Sequence, residues 1–167
     1  DRITMSTNAK LHQSWTFWYH SINTNDWSNS SYKKLLEIQT VFDVKLLLNI
    51  IQREHFHNCL FFVMKEGIFP NWEDKHNREG SCISLKIPKK HIHDTWNTAF
   101  LKLVTESLFL DKYKQTHLNG ISITPKKEFN ILKLWFQKNI KNLKGISEAK
   151  PFLQNKHFMY KKNVPDS

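Results

Sequence analysis

The sequence predicts an α+β fold in which helices cover one face of an antiparallel β-sheet. Two segments, at 82–87 and 129–136, alternate their side chains with the two-residue period of a half-buried strand. Two other segments repeat apolar residues at helical spacing, and these helices stand apart from one another rather than between successive parallel strands. The alternation also predicts that one sheet face is apolar and covered, whereas the other is open to solvent or ligand.

Strands are predicted at seven places, each an aromatic, β-branched or alternating segment bounded by turn residues. In chain order they are WTFWYH (15–20), YKKLLEI (32–38), CLFFVM (59–64), CISLKI (82–87), GISIT (120–124), FNILKLWF (129–136) and HFMYKK (157–162). Pro88 ends the fourth of them.

Three helices are predicted. The first starts at Thr40, because Thr40 and Asp43 have the spacing of a capping box and apolar residues follow at helical spacing. The second covers about 94–108, and a short third helix lies near 147–153.

Length and composition indicate a single domain. The chain has 167 residues, and no apolar run approaches the ~18 residues of a membrane span, so we expect no membrane partner. The first residues carry no pattern, which predicts a flexible segment at 1–12 before one domain at 13–167. Two cysteines, Cys59 and Cys82, make no disulfide framework, which fits a reducing compartment and a cytoplasmic protein.

The charge of the chain points to an anionic partner. The formal net charge is +10, which favours a nucleic acid or a nucleotide as ligand, while the alternative is that the charge serves solubility.

Signatures of enzymes are missing from the sequence. There is no Walker loop and no GxGxxG motif, and the chain has only four glycines from which to build one. His55/His57 and His91/His93 are spaced pairs without further ligands at metal spacing, so we interpret them as surface histidines. We therefore predict a protein that is not an enzyme, with no catalytic residue, no metal and no cofactor.

Two tryptophans lie in loops that offer little to bury them. Trp72 is followed by Glu73 in GIFPNWEDKHN (67–77), and Trp27 lies in INTNDWSNSS (22–31). Two facing indoles can sandwich a flat ring, and a cationic ring gains about 2 kcal/mol or more when desolvated. A carboxylate beside them accepts from two adjacent donors, as guanine N1–H and N2–H provide. The alternative is that both tryptophans pin their loops to the core.

The loop at 67–77 reads GI-x-P-x-WED-x-x-N, and tryptophans recur through the chain at positions 15, 18, 27, 72, 96 and 135. Together with Thr40-Val41 and the later TESL, and in this order and spacing, they resemble the eukaryotic translation initiation factor 4E family. Members of that family bind the 7-methylguanosine cap of mRNA. The match spans Trp15 to Trp135 and is weak beyond it.

The resemblance implies a curved antiparallel sheet with about three helices on its convex face and a cap-binding slot on its concave face. It implies that Trp27 and Trp72 stack on the methylated guanine, that Glu73 bonds N1 and N2, and that Trp135 lies against the N7-methyl group. The alternation agrees independently, because it places Trp135 on the open face of its strand, opposite Leu134.

The family's phosphate-binding positions are altered in this chain. Three positions that are basic in the family are occupied here by Cys82, Lys126 and Ile131. We therefore expect Lys126, its neighbour Lys127, and Lys133 to hold the cap phosphates. The alternative for Lys126 and Lys127 is a solvated turn.

The partner-binding patch of the family is altered as well. The resemblance places Val41, Lys45, Leu101 and Val104 on this dorsal surface, and Lys45 replaces a family tryptophan. Losing a large aromatic residue from an interface removes about 2 kcal/mol or more, so weak or no binding of the family's YxxxxLΦ peptide is expected.

Three roles follow from these expectations. The first is a monomer that binds capped mRNA, with 7-methyl-GTP as minimal ligand, and recruits it for translation initiation through a divergent initiation factor 4G-like scaffold. The second is a cap-binding decoy or translational repressor that does not engage the usual scaffold. The third is a basic RNA-binding protein that has lost the cap; the intact set of Trp27, Trp72, Glu73 and Trp135 argues against it.

Overall fold

The computed structural model describes residues 8–147 and 157–164. In this part of the chain seven strands form one sheet in the order β2-β1-β3-β5-β6-β4-β7, and neighbouring strands run antiparallel. The strands are β1 Lys10–Ser21, β2 Lys33–Thr40, β3 Cys59–Lys65, β4 Ser81–Pro88, β5 Leu118–Pro125, β6 Phe129–Phe136 and β7 Phe158–Lys162. Each overlaps a predicted strand, although β1 begins five residues earlier than the predicted segment at 15–20.

Four helices accompany the sheet: α1 Val41–Ile50, α2 His55–Asn58, α3 Ile92–Val104 and α4 Lys112–Thr116. The sequence predicted α1 and α3, whereas α2 and α4 are too short to show a helical period. Apolar residues of α1, α2 and α3 join those of the strands in one buried core, so these helices pack on the same sheet face. Its largest members include Trp15, Trp96, Phe17, Phe56 and Phe100.

The start of α1 confirms the predicted capping box. The Asp43 N–H donates to Thr40 Oγ1 at 3.2 Å, and the Thr40 N–H donates to Asp43 Oδ2 at 3.0 Å. Two backbone donors that the helix cannot satisfy are thereby paired, which explains why the helix begins here.

The end of α3 differs from the prediction. The helix spans Ile92–Val104 and not 94–108, because Glu106 adopts a left-handed backbone with φ of 55°. The Thr105 hydroxyl also donates to the carbonyl oxygen of Leu101 at 2.7 Å. The left-handed residue ends the helix, although apolar residues continue at helical spacing.

The predicted flexible segment 1–12 needs a correction. Strand β1 begins at Lys10, and His12 Nδ1 lies 2.7 Å from Glu106 Oε2. Residues 10–12 of the predicted flexible segment therefore belong to the folded domain. Residues 1–7 lie outside the described part of the chain, as does nearly all of the helix predicted near 147–153. Across the described residues, no helix is long and apolar enough to cross a membrane.

Candidate functional site

A second, smaller apolar cluster lies on the sheet face opposite the helices. Its members come from β3, β4, β6 and the loop after β3: Leu60, Phe62, Met64, Ile68, Cys82 and Trp135. The predicted orientation of Trp135 is confirmed, because Leu132 and Leu134 lie in the main core. However, Trp135 is only 6% exposed and its Nε1 donates to Ser122 Oγ at 3.0 Å, so this face is less open than predicted.

Beside this cluster is a cavity of about 200 Å³, called here the slot cavity. It is lined by Trp72, Cys82, Ser84, Lys133, Trp135, Lys161, Lys162 and Asn163. Lys133 Nζ lies 5.2 Å from the centroid of the Trp135 ring, within range of a cation–π contact. Trp72, Lys133 and Trp135, which the sequence singled out, are therefore brought together.

Asp74 holds the loop that carries Trp72. Its carboxylate accepts from the Phe69 N–H at 2.9 Å and the His76 N–H at 2.8 Å, and lies 2.9 Å from His76 Nδ1. Burial alone would raise the pKa of Asp74, but these hydrogen bonds and the His76 ring lower it overall. Asp74 therefore has a structural role in this loop.

A buried amide network ties the same loop to the sheet. Asn77 is fully buried, and its Nδ2 donates to the carbonyl oxygens of Phe69 and Asn71. Asn119 of β5 donates to Asn77 Oδ1 at 2.9 Å, and Asn163 donates to the Asn77 carbonyl oxygen at 2.7 Å. The motif at 67–77 includes Asn77, but sequence reasoning missed its burial and missed Asn119 and Asn163, since no local pattern marks an asparagine as buried.

Cys82 occupies a position that is basic in the family resembled above. Burial raises the pKa of its thiol to about 12, even though the positive charges of Lys133 and Lys161 act to lower it. The thiol is therefore neutral, and it donates to Asn163 Oδ1 at 2.8 Å. Cys82 supplies no charge of its own to the slot cavity.

Trp27 does not line the slot cavity. Its ring stacks on the His20 ring with centroids 3.9 Å apart and planes 4° apart, and it is 54% exposed. His20 contacts Tyr32 edge-on at 4.8 Å, and Tyr32 contacts Phe69 at 5.1 Å. Because Phe69 belongs to the loop of Trp72, a chain of aromatic contacts links the two predicted walls.

Glu73 belongs to the same neighbourhood. Burial raises the pKa of the Tyr32 phenol, and the negative charge of Glu73 raises it further. Tyr32 also contacts Phe62, which lies 6.4 Å from Trp135 between ring centroids. These ring contacts extend from Tyr32 to the apolar cluster, while Glu73 is exposed beside Trp72 in the chain.

The lysines expected to bind phosphate lie in two places. Lys126 and Lys127 are exposed in the β5–β6 turn and do not line the slot cavity. Asn130, which pairs with Pro125 next to this turn, lies about 17 Å along β6 from Trp135. Lys133 lines the cavity.

Lys161 and Lys162 were missed by sequence reasoning. The strand that contains them was predicted, but its pairing with β4 cannot be read from a local period. That pairing sets Lys161 opposite Cys82 and Lys162 opposite Ser81, and both lysines line the slot cavity.

On the helical side, three of four predicted partner-contact residues are accessible. Val41 is half-buried, while Lys45 and Leu101 are exposed. The prediction for Val104 is wrong: it is 2% exposed and belongs to the main core, because it follows Phe100 by one helical turn. Phe42, which was not predicted, is 57% exposed beside Val41.

The histidine pairs show no sign of a metal centre. His55, His91 and His93 are half-buried rather than on the surface as predicted, and only His57 is exposed. The ring centroids of His93 and Phe56 lie 5.5 Å apart. Within residues 8–147 and 157–164, no three His, Cys, Asp or Glu side chains are grouped so as to hold a metal ion.

Comparison with known proteins identifies the family to which the chain belongs. The family model described as eukaryotic initiation factor 4E matches residues 10–163. Eukaryotic translation initiation factor 4E of Candida albicans is 28% identical over 140 residues, which are 77% of this chain and 65% of that protein. The eukaryotic translation initiation factor 4E homolog of Acanthamoeba polyphaga mimivirus is 21% identical over 139 residues, 71% of this chain and 51% of that protein. The chain thus spans between about half and two thirds of these relatives.

Solved structures share the fold. C. elegans eIF4E-3, in complex with the 4E-binding protein Mextli and a cap analog, has a TM-score of 0.70 at 25% identity, covering 79% of this chain and 76% of that chain. Ascaris suum eIF4E-3, in complex with an m7G cap, has a TM-score of 0.69 at 22% identity, covering 80% of this chain and 76% of that chain. These likenesses confirm the predicted curved antiparallel sheet backed by helices.

Proposed function

Because the chain belongs to the eukaryotic initiation factor 4E family, we propose that it binds the 7-methylguanosine cap of mRNA and recruits capped mRNA for translation initiation. The observation that carries the proposal is that Trp72 of the loop after β3 and two residues of β6, Lys133 and Trp135, line one cavity on the sheet face opposite the helices. Aromatic rings and a cation side by side suit a ligand that combines a flat base with phosphates.

The methylated base lies between the free faces of Trp27 and Trp72, with Trp135 beside its methyl group. Support comes from exposure, since Trp27 is 54% and Trp72 42% exposed although both are large apolar rings. Stacking on an aromatic side chain contributes about 1–3 kcal/mol per base, and the positive charge of the methylated ring adds a cation–π term. The aromatic contacts through Tyr32 and Phe69 keep the two loops in one neighbourhood.

Glu73 reads the guanine edge. An ionised carboxylate only accepts hydrogen bonds, and guanine offers N1–H and N2–H as adjacent donors. Support comes from its place directly after Trp72 in the loop, where the exposed carboxylate is accessible to a ligand.

Lys133, Lys161 and Lys162 hold the cap phosphates at the slot cavity, and Lys126 and Lys127 reach only the more distant part of a capped RNA. Support comes from the cavity lining and from the distance of the β5–β6 turn. A cation on β7 thereby replaces the one that is missing at Cys82.

Recognition of the cap needs no chemical step, so the protein acts as a binding module and not as an enzyme. It works as a cytoplasmic monomer in this proposal.

A second candidate role is a cap-binding decoy or repressor. The observation that favours it is the exposed Lys45 on α1, at the position of the family tryptophan, which places a charge in the dorsal patch. Recruitment then requires a divergent scaffold that accepts Lys45 together with Val41 and Leu101. Capture of the protein's partners from its host on cap resin distinguishes the two: a co-purifying scaffold supports recruitment, and binding of the protein without one supports the decoy.

The test of cap binding is a tryptophan-fluorescence titration with 7-methyl-GTP, GTP and ATP. Strong quenching by 7-methyl-GTP is expected. Its affinity should be at least about tenfold higher than that of GTP, because of the cation–π contribution. Equal affinities for 7-methyl-GTP and GTP would exclude selection of the cationic base. Trp72→Leu serves as the matched variant, and it should lose both the affinity and most of the quenching.

A further inference from the structure

We propose that His20 is a positioning residue that holds Trp27 from behind, so that the indole presents its other face to the ligand before the ligand arrives. This inference rests on the proposed function. It concerns a residue that belongs to β1, not to either tryptophan loop.

The contact between the two rings is a full parallel stack. The centroids are 3.9 Å apart and the planes differ by 4°, which is van der Waals contact across the ring surface. One face of the Trp27 indole is thereby covered, and a ligand can stack only on the opposite face. A bound base then completes a three-layer stack of imidazole, indole and guanine.

His20 is itself held rigidly. Its side chain is fully buried, and Nδ1 lies 2.7 Å from the carbonyl oxygen of Ser21. Nε2 lies 3.0 Å from the carbonyl oxygen of Asp26 and 2.9 Å from Ser31 Oγ. The Ser31 hydroxyl donates onward to the Ser28 carbonyl oxygen at 2.6 Å.

These partners are what make the contact more than incidental packing. Asp26 precedes Trp27 in its loop and Ser31 follows it. One imidazole therefore contacts the loop on both sides of Trp27, while the face of the same ring stacks on the indole. Tyr32 packs edge-on against the same imidazole at 4.8 Å and also contacts the Trp27 ring at 6.3 Å. A purely apolar side chain would fill the space without holding the loop.

The expected consequence is a lower entropic cost of binding. A half-exposed tryptophan on a polar loop would otherwise sample several rotamers, and fixing a side chain on binding reduces affinity. Removing His20 should therefore weaken cap binding without any loss of a direct ligand contact.

The experiment is a double-mutant cycle on 7-methyl-GTP affinity, measured by calorimetry with the full chain. The variants are His20→Leu, Trp27→Ala and both together. We expect His20→Leu to weaken binding about tenfold, and to weaken it no further once Trp27 is already alanine. This non-additivity is a readout that a general loss of stability would not give. Thr16→Val, a buried β1 residue that loses one hydrogen bond to Glu37, is the control and should bind like the parent.

If His20→Leu does not fold, His20→Phe takes its place in the cycle, since it keeps a flat ring and loses only the polar contacts; it should weaken binding by a smaller factor. Parental affinity in the folded His20 variant, or a loss that simply adds to that of Trp27→Ala, overturns the inference. A parent that does not bind 7-methyl-GTP overturns the proposed function as well. A parent that binds, with Trp27→Ala weak and the His20 variant normal, overturns this inference alone.

Discussion

Lys161 of β7 lies directly opposite Cys82 of β4 in the antiparallel ladder, and both residues line the slot cavity. The pairing puts a lysine next to a neutral thiol, at a position where the family resemblance implies a positive charge. A phosphate-binding cation is thereby supplied from the neighbouring strand, at the same level of the sheet.

Replacing Lys161 by alanine should weaken the binding of 7-methyl-GTP about fivefold to tenfold, because a charge-assisted hydrogen bond to phosphate is lost. Lys133→Ala should have a similar effect, whereas the double variant Lys126→Ala, Lys127→Ala should lose less. Fluorescence titration against 7-methyl-GTP and 7-methylguanosine measures the difference, since the nucleoside has no phosphates and should bind all variants alike. Lys45→Ala on α1 is the control. A larger loss in the turn variant than in Lys161→Ala would reverse the assignment.

Replacing Glu73 by glutamine should weaken 7-methyl-GTP binding about tenfold to a hundredfold, because one charged acceptor pair becomes a neutral amide. The same variant should lower the pKa of Tyr32, since the negative charge that raises it is removed while burial remains. Calorimetry and an absorbance titration of the phenolate measure the two effects on one sample. An unchanged affinity would exclude Glu73 as the reader of the guanine edge, and an unchanged phenolate titration would exclude its proximity to Tyr32.

Replacing Asp74 by asparagine should destabilise the Trp72 loop by about 1–3 kcal/mol at neutral pH, because the charged acceptor of three hydrogen bonds is lost. The pKa of Asp74 is lowered from 3.8 in the folded protein, so its contribution is present above that value and disappears as the pH falls through the folded pKa. Denaturant unfolding at pH 7 and near pH 3 should therefore show a gap between parent and variant that narrows in acid. A gap that does not change with pH would mean that the charge of Asp74 plays no part.

Replacing Lys45 by tryptophan should strengthen binding of a YxxxxLΦ peptide by about tenfold or more, since a large aromatic side chain at an interface contributes about 2 kcal/mol. Lys45 is exposed on α1, so the change should leave the fold intact. Calorimetry with the peptide measures the gain, and Lys45→Ala separates the removal of charge from the addition of the ring. Sub-micromolar affinity in the parent would contradict the expectation that its dorsal surface is divergent.

The sequence by itself determined the strands, the start of α1 and the loop of Trp72 and Glu73, because each depends on local chemistry. Alternation over a few residues places Trp135 and Leu134 on opposite sheet faces, and a hydroxyl three residues before a carboxylate caps a helix. These signals need no knowledge of distant parts of the chain.

The tertiary structure alone decided which distant residues share a surface. The pairing of β7 with β4 brings Lys161 to Cys82, the stack of His20 on Trp27 joins a strand to a loop, and Val104 turns into the core instead of toward a partner. None of these follows from a local period, because strand order and helix rotation depend on how the whole core packs.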